Sequence, residues 1–200
     1  TLKCLYPENI HLIRGNHEFK DMTERYGFKD ECLNRIKSKN NGKNFYNKIL
    51  NSFKYLPICS ILNDKIFCVH GGISPFIEDR DHFTYVNKVG LTLTSFDHIQ
   101  TEFFWSDPSN STLDYADNPK RQRLDFQIFG VNALKEFLKN NKFDCVIRSH
   151  EFCKNGFNWP FGENGKLLTI FSSLNYCQNS NKAAIALISD DNKVEICQFD

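Results

Sequence analysis

The sequence predicts an α/β fold, in which several short strands and amphipathic helices share one domain. Apolar residues between 45 and 56 recur at the spacing of one helix face. Short apolar runs rich in β-branched residues, at 66–69 and 145–147, are typical of buried strands. Two further runs, 183–188 and 194–199, are separated by a polar turn and predict an antiparallel hairpin. Helices mixed with such strands favour a mixed sheet.

The remaining helices follow from apolar periodicity and from the residues that interrupt it. Residues 21–36 predict two short helices joined at Gly27. Residues 38–42 are polar and predict a loop, whereas 131–139 predict an amphipathic helix with lysines near its carboxyl end. Residues 76–101 mix charged and isolated apolar positions, which predicts surface helix and loop.

A polar motif, Arg-Gly-Asn-His-Glu, occupies residues 14–18 directly after two apolar residues. The apolar pair predicts the end of a buried strand, and Gly15 allows a sharp turn there. Asn16 and His17 would then lie at the carboxyl end of a strand, where ligands and catalytic groups collect in α/β sheets. An amide oxygen and an imidazole suit metal binding or proton transfer. The alternative is a polar loop with a structural histidine.

Two later histidines occupy comparable positions. His70 follows the apolar run 66–69 and precedes two glycines, and His150 follows shortly after the run 145–147. Each histidine therefore comes at the end of a predicted buried strand. One such histidine is more often structural, but two of them, together with Asn16 and His17, indicate a metal centre.

Five ordered motifs together resemble those of one enzyme family. They are Arg-Gly-Asn-His-Glu at 14–18, His-Gly-Gly at 70–72, Trp-Ser-Asp-Pro at 105–108, Arg-Ser-His at 148–150 and Asn-Tyr-Cys at 175–177. The set resembles metal-dependent serine/threonine protein phosphatases of the type 1, type 2A and calcineurin kind. The resemblance implies mixed sheets packed as a sandwich and flanked by helices. It also implies that residues 1–200 form a single domain, the carboxyl-terminal portion of a metallophosphatase catalytic domain.

The resemblance further implies a chemistry and a ligand set. In the family, two metal ions share a water that attacks phosphorus, so the implied reaction is hydrolysis of phosphoserine or phosphothreonine on proteins. Asn16, His70 and His150 resemble ligands of the second metal, and their donors suit Mn, Fe or Zn. The first metal's ligands are expected in two family motifs, Asp-x-His and Gly-Asp-x-x-Asp-Arg, upstream of residue 1. Without those motifs the 200-residue chain is expected to be inactive, even with Mn²⁺.

Three further residues resemble family residues that act on the substrate. His17 resembles the general acid that protonates the leaving serine or threonine oxygen, and the alternative is a histidine that only hydrogen-bonds the loop. Arg123 resembles an arginine that clamps the phosphate, although the next residue is Leu124 where the family has glycine. Tyr176 would offer its hydroxyl to the same phosphate, or it is simply an aromatic residue near a strand end. Asp107 is expected to order its loop.

Composition bounds the partners and the location. Net charge is +1, from 25 basic and 24 acidic residues, which predicts no affinity for nucleic acid. No apolar run approaches the roughly 20 residues of a membrane-spanning helix, so no membrane partner is expected. The eight cysteines are scattered, which predicts reduced, buried thiols and a cytoplasmic or nuclear location. The expected partners are phosphoprotein substrates and regulatory subunits. The alternative function is a truncated, non-catalytic relative that binds phosphoproteins or regulatory subunits.

Overall fold

A computed structural model describes residues 1–36, 38–77, 79–90, 98–120 and 126–200. Within these ranges the α-helices are α1 (Leu2–Leu5), α2 (Lys20–Arg25), α3 (Phe28–Arg35), α4 (Lys39–Phe53), α5 (Asp81–Gly90), α6 (His98–Trp105) and α7 (Val131–Asn141). The strands are β1 (Cys59–Leu62), β2 (Ile66–Val69), β3 (Asp107–Pro108), β4 (Tyr115–Asp117), β5 (Gln127–Phe129), β6 (Cys145–Arg148), β7 (Phe157–Asn158), β8 (Leu167–Ile170), β9 (Ala183–Ile188) and β10 (Val194–Phe199). Short 3₁₀ helices lie at Glu163–Gly165 and Tyr176–Gln178.

The central element is a five-stranded mixed sheet with the order β1-β2-β6-β8-β7. Its three middle strands, β2, β6 and β8, run parallel, and the outer strands pair antiparallel with them. Two smaller sheets accompany it, the three-stranded β3-β5-β4 and the hairpin β9-β10. The predicted α/β class with mixed sheets is therefore confirmed. Because the middle strands are parallel, their carboxyl ends meet at one edge of the sheet and their amino ends at the other.

Phenylalanine dominates the core beside this sheet. Phe67, on β2, is fully buried, and its ring lies 4.8 Å from that of Phe83, 5.2 Å from Phe137 and 5.5 Å from Phe143. These partners come from α5, from α7 and from the residues just before β6. Aromatic pairs at these separations add packing energy beyond the area that they bury. The cluster therefore fixes two helices on one face of the sheet.

Several predicted elements are confirmed. Helices α2 and α3 meet at Gly27, as the sequence predicts. The β1-β2 hairpin turns at Asn63 and Asp64, which both have positive φ. Helix α7 buries one face, and β9 and β10 pair along their whole length.

The strand predicted before the motif at 14–18 is wrong. Leu12 is exposed, and the segment joins no strand ladder in the described part of the chain. The N–H of Arg14 donates instead to the carbonyl of Pro57, at 2.7 Å. A strand needs a neighbouring strand to pair its alternate N–H and C=O groups, and here the neighbour is irregular backbone.

The polar loop predicted at 38–42 is also wrong, because α4 begins at Lys39. The N–H of Gly42 donates to the carbonyl of Ser38, at 2.8 Å, which closes the first helical turn. A Cβ at Gly42 would lie 3.1 Å from the Cα of Leu33, so this glycine lets α4 approach α3 closely. Packing against α3 here overrides the low helix propensity of the Asn-Asn-Gly segment.

Helix forms between 76 and 101 as predicted, in α5 and the start of α6, but α5 does not lie only on the surface, because Phe83 and Val86 are buried. Residues 78 and 91–97 of that range lie outside the described residues. Charged residues between the apolar positions hide the helical period in the sequence. The sequence interpretation also missed the β3-β5-β4 sheet, whose strands are only two or three residues long.

The cysteines are unbridged, as predicted, but two of them are not buried. Cys32, Cys59 and Cys153 lie in the interior, whereas Cys4 and Cys177 are exposed. None of the described helices is both long enough and apolar enough to span a membrane.

Candidate metal centre

The candidate site lies at the carboxyl edge of the five-stranded sheet. His70 directly follows β2, and His150 comes two residues after β6. The loop after β8 leads to Tyr176. The N–H of Ser149 donates to the carbonyl of His70, at 3.0 Å, and so ties the first two loops together. Parallel strands thus deliver both predicted histidines to one place, as expected for an α/β sheet.

The loop at 14–18 packs against this edge. The N–H of Gly15 donates to the Glu18 carboxylate at 2.7 Å, and a Cβ on Gly15 would lie 3.0 Å from Nδ1 of His70. The Arg14 guanidinium donates to the Glu18 carbonyl at 2.9 Å and stacks 3.8 Å from the centre of the Phe19 ring. Burial lowers the pKa of Arg14 to about 10. These contacts anchor Arg14 and Gly15, and the following residue, Asn16, projects its side chain towards His70.

Three predicted metal-ligand side chains converge there. Oδ1 of Asn16 lies 2.8 Å from Nε2 of His70, and Nδ1 of His150 lies 3.2 Å from the same nitrogen. Atoms bound to one ion at 2.0–2.2 Å are separated by about 3 Å, so this spacing fits a shared metal. Two imidazole nitrogens and an amide oxygen are donors for a borderline ion such as Mn, Fe or Zn.

Asn16 completes this set with an amide. Across the described ranges, no three His, Cys, Asp or Glu side chains come together in a way that could hold an ion. Asn16 is nonetheless 3% exposed and aims its oxygen at His70. The donor set therefore consists of one amide oxygen and two imidazole nitrogens.

A buried arginine that the sequence interpretation gave no role joins the surrounding loops. The Arg148 side chain is fully buried and donates to Asp107 Oδ1 at 2.9 Å, to Ser106 O at 3.1 Å and to Glu151 Oε2 at 2.9 Å. It also donates to the carbonyl of Gly71. The available signal was a cation at the end of an apolar strand, because a buried charge must find acceptors.

Asp107 connects this arginine to the donor set. Its Oδ2 accepts a hydrogen bond from the Asn118 amide at 3.2 Å, and its Oδ1 lies 3.8 Å from Nε2 of His150. The Trp105 ring packs edge-on against His150, with centroids 5.4 Å apart. Thus His150 is confined between a carboxylate and an indole, which limits the orientations of its ring.

His17 and Tyr176 are exposed and are not among the three converging donors. His17 is exposed, and its ring centroid lies 4.8 Å from that of Tyr26. Tyr176 is 46% exposed and packs edge-on against Phe171 at 5.3 Å. Partial burial raises the pKa of Tyr176, with smaller contributions from Cys177 and Tyr26.

Arg123, the predicted phosphate clamp, lies outside the described residues, in the segment 121–125. Its neighbour in that prediction, Leu124, lies in the same segment. The role of Arg123 therefore stays a prediction from the sequence.

An α/β domain that gathers imidazole and amide donors at the carboxyl edge of parallel strands has the arrangement of a metal-dependent hydrolase. The family described as calcineurin-like phosphoesterase matches residues 1–154, and the chain belongs to that family.

Two relatives narrow the comparison. The chain is 35% identical to the serine/threonine-protein phosphatase PP2A-like PPG1 of Saccharomyces cerevisiae, over 92% of this chain and 51% of the relative. It superposes with a TM-score of 0.82, at 28% identity, on a solved serine/threonine phosphatase from Saccharomyces cerevisiae with similarity to human phosphatase PP5. That match covers 99% of this chain and 62% of the other. The chain thus spans about half the length of the curated relative.

Proposed function

We propose that this protein contributes to the hydrolysis of phosphoserine and phosphothreonine on proteins, at a metal centre. The observation that carries the proposal is the convergence of Asn16, His70 and His150 on one point at the carboxyl edge of the sheet. Both relatives described above are serine/threonine phosphatases, which supports this substrate class. Phosphoproteins and regulatory subunits are the proposed partners. The unbridged cysteines support a cytoplasmic or nuclear location.

In this proposal, Asn16, His70 and His150 hold one of two ions, of Mn, Fe or Zn. A bound pair of such ions polarises phosphoryl oxygens and makes water a better nucleophile at neutral pH. The three donors supply a shell for one ion, so the second ion requires ligands from elsewhere, as the family resemblance implies. The Arg148 and Asp107 contacts keep His150 in place for this role.

Three residues are assigned to the substrate in this proposal: His17, Tyr176 and Arg123. The His17 imidazole gives its proton to the serine or threonine oxygen as the bond from phosphorus to that oxygen breaks. The Tyr176 hydroxyl, which a phenol keeps protonated at neutral pH, donates a hydrogen bond to a phosphate oxygen. Arg123 would grip the same phosphate with its planar guanidinium. In this assignment His17 supplies the proton for the leaving oxygen, and Tyr176 and Arg123 supply hydrogen bonds to the phosphate.

Metal binding by the purified 200-residue chain tests the donor set directly. Mn²⁺ and Zn²⁺ are titrated by calorimetry into the wild type and into Asn16→Ala, His70→Ala and His150→Ala. Each variant should lose more than about tenfold in affinity for the ion. His11→Ala is the matched control, because His11 is exposed and its ring hydrogen-bonds the Glu8 carbonyl, at 3.1 Å, instead of joining the donor set. Equal affinity in all variants would overturn the ligand assignment.

The reaction is tested with a longer chain that carries both upstream aspartate motifs. Phosphate release is measured from a phosphothreonine peptide and from the matched phosphotyrosine peptide, with and without Mn²⁺. We expect metal-dependent release from phosphothreonine at rates typical of enzymes, about 1 s⁻¹ or more. Tight binding of the peptide without hydrolysis would overturn the proposal in favour of a non-catalytic phosphoprotein-binding relative.

A further inference from the structure

The opposite edge of the same sheet carries a cleft that the proposed reaction does not use. Its volume is about 410 Å³. Five lysines and one aspartate contribute its charged lining: Lys65, Lys135, Lys139, Lys142, Lys166 and Asp144. We call this feature the lysine cleft. It carries four net positive charges on a chain whose total is +1.

The sheet itself builds one wall of the lysine cleft. Lys65, Asp144 and Lys166 are the residues immediately before β2, β6 and β8. The N–H of Asp144 donates to the carbonyl of Lys65 at 2.8 Å, and that of Val146 donates to the carbonyl of Lys166 at 2.9 Å. The cleft therefore lies at the amino edge. Each strand is four residues long, so roughly 13 Å of sheet separates this edge from the candidate metal centre.

Helix α7 builds the other wall. Lys135 and Lys139 are four residues apart and so lie on one helix face, and Lys142 caps the carboxyl end of that helix. The helix dipole favours cations in the last turn, which accounts for Lys139 and Lys142 without any ligand. Lys135 lies a turn earlier and repels Lys139, because like charges at this spacing are destabilising. The fold alone gives no reason to place Lys65 and Lys166 opposite them.

The charges of the lysine cleft are poorly balanced. Lys65 is 3.9 Å from Asp144, and both side chains are about half exposed. In the part of the chain that the structure describes, Lys135, Lys139, Lys142 and Lys166 form no ion pair. An anionic partner would meet ammonium groups that no carboxylate of the described residues already neutralises.

The wall of the lysine cleft between the ammonium groups is apolar. Half-buried Val131 lines it, with the small exposed parts of Leu138 (6%) and Phe143 (4%) and with the aliphatic stems of the lysines. A purely polar polyanion would contact only the charged rim, whereas an apolar side chain with flanking carboxylates matches both the wall and the rim. A concave cleft of this size fits a single extended segment better than a duplex or a flat membrane surface.

We propose that the lysine cleft is a docking site for an acidic linear segment of a partner protein, in which an apolar side chain is flanked by Asp or Glu. The apolar side chain packs on Val131 and the aliphatic stems of the lysines, and the carboxylates pair with the ammonium groups. Because the cleft and the candidate metal centre lie at opposite edges, a docked segment leaves the metal centre accessible. The proposal does not rest on the proposed reaction.

Fluorescence anisotropy of a labelled short peptide, with one leucine between glutamates, tests the proposal on the 200-residue chain. The charge-reversed triple variant Lys135→Glu, Lys139→Glu and Lys142→Glu should bind the peptide at least about tenfold more weakly. Raising the salt from about 50 mM to about 200 mM should weaken wild-type binding as well. Single Lys139→Glu should show a smaller loss in the same direction, which keeps the test valid if the triple variant fails to fold.

The matched control carries the same change in net charge elsewhere. Lys48→Glu, Lys154→Glu and Lys193→Glu replace exposed lysines outside the lysine cleft and should keep wild-type affinity. Equal losses in both triple variants would reduce the effect to net charge and overturn the proposal. A peptide with serine in place of leucine should bind several-fold more weakly. Equal binding of that peptide, or tighter binding of inorganic polyphosphate, would assign the site to a general polyanion and overturn the peptide.

Discussion

Both edges of the central sheet carry polar residues next to its strands, but the two groups of residues differ in burial and in hydrogen bonding. At the carboxyl edge, the donor atoms of Asn16 and His150 lie within 3.2 Å of Nε2 of His70. The Arg148 side chain is buried there among four acceptors. At the amino edge, lysines surround a cleft with one carboxylate between them. One edge has crowded, partnered polar atoms, and the other has separated charges of one sign.

The difference follows from access to water. Loops fold over the carboxyl edge, so each polar group there must find a partner or lose the free energy of its hydration. The amino edge is open, and its lysine ammonium groups stay hydrated whether or not they are paired. The carboxyl edge can therefore hold a small ion in a fixed geometry. The open amino edge can instead attract a larger partner through its positive electrostatic potential and the shape of its cleft.

The largest expected effect comes from a substitution of Arg148, which tests the difference between the two edges. Arg148→Met should destabilise the fold by about 3–5 kcal/mol, because it leaves Asp107 buried without its cation. The same change on the open edge, Lys139→Met, should cost less than about 0.5 kcal/mol. Urea unfolding followed by circular dichroism measures both. Similar losses in the two variants would show that the edges do not differ as described.

At the carboxyl edge, the proposed proton donor on exposed His17 can be separated from the proposed ligands by mutation. In a chain that carries the upstream motifs, His17→Asn should lower turnover about 10²–10⁴-fold and leave the metal content unchanged. His70→Ala should lower both. Turnover is followed with a phosphothreonine peptide and metal content by mass spectrometry. Loss of metal from His17→Asn would remove the general-acid role.

Arg123, whose role is a prediction from the sequence, allows a guanidinium to be compared with an ammonium as the group that holds phosphate. Arg123→Lys keeps the charge but removes the paired hydrogen bonds, so inhibition by inorganic phosphate should weaken about tenfold. Lys166→Arg in the lysine cleft should leave phosphate inhibition unchanged. Wild-type inhibition in Arg123→Lys would mean that another residue grips the phosphate.

The smallest effect concerns the thiols inside the sheet, between the two edges. Burial raises the pKa of Cys59 and of Cys145 to about 12. Their stabilising contribution is fully present below the unfolded pKa near 9 and is lost as the pH rises towards 12. Stability should fall by about 1 kcal/mol per thiol between pH 9 and 10.

Cys145→Ala tests this assignment, because it removes one of the buried thiols whose pKa is raised. The variant should show a shallower fall of unfolding free energy above pH 9 than the wild type. Cys4→Ala is the control, since Cys4 is exposed. An unchanged slope in Cys145→Ala would contradict the link between burial and alkaline sensitivity.

The sequence predicted the strands that end at the site better than the strands around it. The runs before His70 and His150 are apolar and β-branched, so their burial is visible in the residues themselves. The two-residue strand β3 and the neighbouring strand β4 both pair with β5. Such short strands are too brief for an apolar periodicity in the sequence to predict them. The same holds for the residues before Arg14, whose partner is the irregular backbone at Pro57.

The positions of the donors were likewise only partly predictable. Placement of His70 and His150 at strand ends, together with parallel pairing, accounts for their meeting at one edge. The link from Arg148 to Asp107 spans forty-one residues of sequence, and only the fold brings the two together. The lysine cleft was missed for the same reason, because its lysines are dispersed along the chain and are adjacent only in the folded sheet and α7.

His150 has one more property, which matters for protein engineering. Its φ is 65°, a left-handed backbone conformation that costs a residue with a Cβ about 1–3 kcal/mol. A search for stabilising substitutions guided by backbone geometry would select position 150 early, and glycine, which has no Cβ, would relieve the strain. That substitution would also remove an imidazole from the donor set. At this position, thermal resistance and metal affinity should therefore trade off, and a library selected for heat tolerance alone would drift away from histidine.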